Sequence, residues 1–178
     1  MSNYVVIARF DEKKDNQINA LRKTLSDQGF YITKWPPHIT IAAYENIDET
    51  LLCNWTADFT STHTKQKIAL NSLSILPPGS EFSDTAVICL NPAHSKTFVD
   101  FYYAFHQKYE EFCTGIGWHN SITHDNPVIH ATIATVNVTE LQKVLDIIFS
   151  QNIFGGAELT ALEVYTYPMK LIKRFELQ

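Results

Sequence analysis

The sequence predicts a mixed α and β fold, and three observations carry that prediction. Segments rich in β-branched residues alternate with segments whose apolar residues recur every three or four positions. Glycine and proline stand at the joints between them, as at Gly29, Pro77-Pro78-Gly79, Gly155-Gly156 and Pro168. Two of the strand segments also carry one pattern in matched apolar surroundings. These are His38-Ile39-Thr40-Ile41-Ala42 and, 92 positions later, His130-Ala131-Thr132-Ile133-Ala134.

In chain order, Tyr4 to Phe10 is a first strand by its β-branched content. A helix is predicted from Asp15 to Asp27, with Ile18, Leu21 and Leu25 on one side and Gly29 as its stop. The first motif strand runs from Pro37 to Tyr44, and Asp48 caps a shorter helix carrying Leu51, Leu52 and Trp55. Lys67 to Leu76 and Thr85 to Leu90 read as strands joined through the proline-glycine turn. From Ser95 to Cys113 the stripe Phe98, Phe101, Tyr102, Phe105, Tyr109 and Phe112 predicts one long helix with a core-facing side. Thr114 to Asn126 is a polar, glycine-containing loop leading into the second motif strand. Thr139 caps a last helix, the Gly155-Gly156 pair breaks the chain, and Glu158 to Tyr167 and Leu171 to Leu177 form a hairpin around Pro168. The reading totals seven strands and four helices.

Composition sets the outer bounds. At 178 residues, 45% hydrophobic and 19% charged, the chain suits one ordinary domain with a full core. A formal net charge of −5 argues against coating long nucleic acid by phosphate neutralisation, while a nucleotide or an RNA terminus remains open to a local cluster of donors. No apolar run approaches a membrane span and the amino terminus has no basic leader, so no membrane partner is expected. Cys53, Cys89 and Cys113 are odd in number and widely spaced, which favours a reduced cytoplasmic setting over a disulfide framework or a structural zinc site.

On a strand, residues two apart share a face. His38 and Thr40, with Tyr44 at the strand end, are therefore expected to point away from the core, and His130 and Thr132 likewise. A third match, His119-Asn120-Ser121, lies among glycine and asparagine without apolar alternation and reads as loop. Two imidazoles with pKa values near 6.5 supply one base and one acid near neutrality. A phosphodiester reaction needs both, on opposite sides of phosphorus, and the Thr40 and Thr132 hydroxyls suit the non-bridging oxygens. This scheme calls for no metal and no cofactor.

These two copies resemble the signature of the two-histidine (2H) phosphoesterase superfamily, which includes 2'-5' RNA ligases and cyclic phosphodiesterases: His-x-Thr/Ser followed by an apolar residue, once in each half of a chain of this length. The resemblance implies an α+β fold, residues 1–178 forming a single bilobal domain: two pseudo-symmetric lobes of antiparallel sheet, helices outside, and a central cleft carrying the two His-x-Thr motifs. It implies a phosphodiesterase with a nucleotide or RNA-terminus substrate holding a 2'-linked phosphodiester: a 2',3'-cyclic phosphate, an ADP-ribose cyclic phosphate or 2'-5' linked RNA. His38, Thr40, His130 and Thr132 are the catalytic candidates. Tyr44, Trp118, His119, Tyr167 and Lys170 are weaker candidates for the base and sugar, and Lys170, Lys173 and Arg174 form a small basic run. Two other readings stand beside this one. The same cleft could bind a nucleotide or RNA end without turning it over, and a zinc hydrolase could draw on His119, His124, His130 and Asp125, although their spacing matches no helical His-x-x-x-His site.

Overall fold

The computed structural model describes residues 3–78, 84–123 and 127–178. The Gly79 end of the predicted proline-glycine turn, and His124, Asp125 and Asn126, lie outside the described residues. Among the described residues, seven strands and four α-helices follow in the order β1 (Asn3–Phe10), α1 (Glu12–Asp27), β2 (His38–Glu45), α2 (Glu49–Thr62), β3 (Gln66–Leu76), β4 (Thr85–Pro92), α3 (Lys96–Phe105), β5 (Ala131–Asn137), α4 (Leu141–Ser150), β6 (Gly155–Thr166) and β7 (Lys170–Glu176), with 3-10 turns at Glu110–Phe112, Gly115–Asn120 and Val138–Glu140.

All strand pairings in the sheet are antiparallel, in the order β2-β1-β6-β3-β4-β5 with β7 also on β6. The twelve-residue β6 is common to two four-stranded lobes. Its first half pairs with β3, from Gly155 on Leu70 to Leu159 on Gln66. Its second half has β1 on one side and β7 on the other. The motif strands β2 and β5 are thus the two ends of the sheet. They come back together where Thr135 of β5 donates its N–H to the carbonyl of Tyr31, 3.1 Å away.

Helix starts are set by side-chain caps: Asp11, Asp48 and Ser95 accept from the backbone N–H groups of Lys14, Leu51 and Phe98. The Asp11 cap begins α1 earlier than the apolar spacing predicted. The long helix expected from Ser95 to Cys113 ends at Phe105, and Tyr109 takes a left-handed conformation at φ 65°. The aromatic stripe continues past the break because Tyr109 and Phe112 still pack on the core from the turn. At the break, His106 turns inward to the Ile41 carbonyl at 2.8 Å and to Glu110 at 2.5 Å. Gly155 and Gly156 do not interrupt β6 but begin it. The main core, with Tyr44, Tyr102, Phe59, Phe98 and Phe105 as its largest fully buried side chains, lies between the sheet and the helices.

Candidate active site

Both motifs are built in the same way. Along β1 and β2, Ile7 faces Thr40 and Val6 faces Ala42, so Ile41 is an extra residue in the ladder. Along β4 and β5, Cys89 faces Thr132 and Ile88 faces Ala134, which leaves Ile133 as the extra one. Each is a β-bulge directly after the motif threonine, and each reverses the strand's inside-outside alternation. Ile41 and Ala42 both enter the core, as do Ile133 and Ala134. Tyr44 is therefore not on the motif face as expected. The bulge turns it to the opposite side, where it is fully buried in the main core.

The two imidazoles are held alike. His38 Nδ1 is 2.6 Å from the carbonyl oxygen of Pro36, and His130 Nδ1 is 2.9 Å from that of Val128. A carbonyl oxygen only accepts, so Nδ1 carries the hydrogen in each ring and Nε2 is the nitrogen left for a substrate. Burial lowers both pKa values. For His38 the charges of Arg22, His130 and Arg9 add to the effect of burial, the bond to Pro36 opposes it, and the result is pushed down to about 4. For His130 burial and the charge of His119 act against the bond to Val128. The rings are close enough for the charge of one to oppose protonation of the other.

His38, Thr40 and Thr132 wall a cleft of about 230 Å³ together with Trp35, Asn120 and Tyr167. His130 directly precedes β5, as His38 begins β2. The Trp35 ring packs on His38, centroids 5.5 Å apart, and on Tyr165 at 5.0 Å. The Gly115–Asn120 turn closes one side. Gly117 presses against β2 so tightly that a Cβ there would sit 2.0 Å from the Ala43 carbonyl oxygen. Beneath the cleft, Arg22 of α1 is 5% exposed and donates to the carbonyl of Trp35 at 2.8 Å and to that of Thr132 at 2.5 Å. It ties the approach to β2 to β5, across the gap between the lobes.

Of the weaker candidates, Tyr167 walls the cleft and is 55% exposed. His119 is exposed, and its charge acts on His130. Trp118 is exposed on the same turn and Lys170 at the start of β7, and neither lines the cleft. Arg174 is engaged by Glu163 at 3.0 Å and Glu176 at 2.5 Å. Trp35, Asn120 and Arg22 were not singled out as site residues. Arg22 did leave a signal, because it falls on the buried stripe of α1 with Ile18, Leu21 and Leu25, where a charge needs a reason.

A sequence model of the family described as the 2'-5' RNA ligase superfamily matches residues 10–168. The chain belongs to that superfamily. No curated protein matches the chain. Among solved structures, E. coli LigT in its apo form is similar at 11% identity and TM-score 0.60, covering 99% of this chain and 98% of that one. E. coli LigT complexed with 3'-AMP has TM-score 0.61 at 10% identity over the same shares. Kluyveromyces marxianus Usb1 with uridine monophosphate has TM-score 0.52 at 10% identity, again over 99% and 98%. These likenesses establish the 2H phosphoesterase fold for this superfamily member, as the duplicated motif led one to expect. Among the described residues no helix is long and apolar enough to cross a membrane.

Proposed function

We propose that this chain is a phosphodiesterase that acts on a 2'-linked phosphodiester through His38 and His130, residues 1–178 working as one bilobal unit with the reaction between the lobes. The observation that carries the reading is the duplicated local geometry: two imidazoles, each with Nδ1 held by the carbonyl two residues earlier, each followed by a threonine and a bulge, at the two ends of one sheet. In the singly protonated pair the proton belongs on the group of higher pKa. The deeper depression of His38 makes it the base, taking a proton from the attacking water or hydroxyl, and His130 the acid that protonates the departing oxygen. Thr40 and Thr132 donate to the non-bridging oxygens as charge builds on them. No step in this scheme uses a metal.

3'-AMP in E. coli LigT and uridine monophosphate in Kluyveromyces marxianus Usb1 support a nucleotide or RNA-end substrate here. Trp35 and Tyr167 give the cleft aromatic surface on which a base or ribose could rest. The reduced cysteines support a cytoplasmic setting. The deciding experiment is turnover of 2',3'-cyclic mononucleotides, ADP-ribose cyclic phosphate and 2'-5' linked oligonucleotides by wild type, His38→Ala and His130→Ala, with EDTA added at the start of the assay. Turnover that collapses in both variants and is indifferent to EDTA is the expected result. Tight nucleotide binding without turnover of any substrate would replace this reading with that of a binding module.

A further inference from the structure

Behind β2, on the core side, His106, Glu110 and Cys113 form a cluster that the phosphodiester chemistry does not use. Nδ1 of His106, a carboxylate oxygen of Glu110 and Sγ of Cys113 lie within 4.8 Å of one another. His106 and Cys113 are each 2% exposed. We propose that this cluster is a structural zinc site.

His106 and Glu110 form a hydrogen-bonded ion pair here, and three features equip the cluster to exchange its proton for a metal. His106 Nε2 donates to the Ile41 carbonyl at 2.8 Å, so the Nδ1 lone pair faces into the cluster, the arrangement of a metal-ligating histidine oriented by its other nitrogen. The Glu110 carboxylate is divided in the same manner. Oε1 accepts from Ser121 Oγ, from Ile122 N at 2.7 Å and from Thr123 N at 3.2 Å, while Oε2 is turned towards His106 Nδ1, 2.5 Å away. The 2.5 Å between these two acceptor atoms is the distance of a shared proton, and an ion that takes the proton's place moves them apart to about 3.3 Å. A single proton would serve those two alone. The third feature is Tyr44, whose hydroxyl is fully buried, has no hydrogen-bond partner among the described residues, and lies within electrostatic reach of Cys113 and Glu110. A divalent cation would take up the imidazole, the carboxylate and the thiolate, with Tyr44 Oη within its electrostatic reach.

Charge and ligand type select zinc. One carboxylate and one thiolate neutralise a 2+ ion, which suits a buried site, and zinc accepts mixed nitrogen, oxygen and sulfur donors at tetrahedral geometry. Binding sends to solvent the proton shared by His106 and Glu110 and the proton of the Cys113 thiol, so two protons leave as Zn²⁺ enters. The ligands also suit a structural role. Through His106 the metal is tied to β2 one residue past Thr40, and through Glu110 and Cys113 it braces the segment that carries the Gly115–Asn120 wall of the cleft.

The test is metal content of the full chain purified without chelator from zinc-supplemented growth, together with the absorption spectrum of Co²⁺-substituted protein. About one zinc per chain is expected, with a thiolate-to-cobalt charge-transfer band that Cys113→Ser abolishes while the far-ultraviolet circular dichroism stays native. Tyr44→Phe is expected to retain metal and to alter the cobalt ligand-field bands. Folded wild type that takes up no stoichiometric zinc, and whose Tm responds to neither zinc nor EDTA, would overturn the proposal. So would equal metal and an unchanged band in wild type and Cys113→Ser, which would put the ion elsewhere on the chain.

Discussion

The depressed pKa of His38 ties the stability of the fold to pH with a definite sign. In the unfolded chain this imidazole titrates near 6.5, and in the folded cleft near 4. The unfolded state therefore takes up the proton first. The stabilisation is whole above about pH 6.5, declines as the pH falls towards 4, and shows no further loss below that. Between about pH 7 and 4.5 the linkage relation gives a loss of roughly 2.5 kcal/mol attributable to this one ring. His38→Asn isolates it, because the asparagine amide can still donate to the Pro36 carbonyl but does not titrate. Urea unfolding of both proteins at the two pH values closes a cycle in which the other titrating groups are common to both arms, His130 apart from its coupling to His38. Wild type should lose roughly 2.5 kcal/mol more than the variant. Parallel losses would show that His38 is not held neutral by its surroundings, and the assignment of this ring as the base would fall with it.

The remaining predictions concern rate and packing. kcat/KM should be bell-shaped in pH with its maximum between about 4 and 6.5, since both histidines are depressed below the ordinary imidazole value; a profile flat across that range refutes the acid–base pair. Thr40→Val and Thr132→Val preserve shape and remove one donor each, and should each lower kcat by about 100-fold with Tm nearly unchanged. Arg22→Met should cost about 3 kcal/mol by unfolding, because two buried carbonyls lose their partner, and should move the acid limb of the pH profile upward as a positive charge near His38 disappears. Gly117→Ala should destabilise by about 2 kcal/mol or more and raise KM, because the new Cβ meets backbone that cannot give way.

Both motif strands, all four helices and the pairing of His38 with His130 as a duplicated feature were legible from residue periodicity and from the repeated His-x-Thr. What escaped were features that periodicity does not encode. The bulges re-aim Tyr44, and their trace in the sequence is a doublet: in each copy the threonine is followed by Ile-Ala, two apolar residues in succession where alternation calls for one. The early end of α3 was hidden because a residue can face the core from a turn as well as from a helix, and Tyr109 and Phe112 do so. Gly155 and Gly156 read as a break but lie in β6, where a positive φ of 111° at Gly155 is accommodated at the strand's start. Trp35 and Asn120 belong to the cleft through the packing of segments remote in sequence, which no local pattern reports.

The sharing of β6 by both lobes also has a bearing on how the chain acquires its structure during synthesis. β1 is made long before its partner β6, with β2 to β5 in between, so that Tyr4 waits for Thr166. β3 likewise meets Gly155 to Leu159 only then. The β1-β2 pair and the β3-β4-β5 group can each form early, but as separate pieces with open edges and no fixed mutual orientation. The arrival of β6 joins them, and with that single event the two motif strands take their places at the ends of one sheet. Such late, long-range closure makes for slow folding and for an aggregation-prone interval beforehand. Mutations in β6 should therefore be felt in the yield of folded protein well beyond their effect on its final stability.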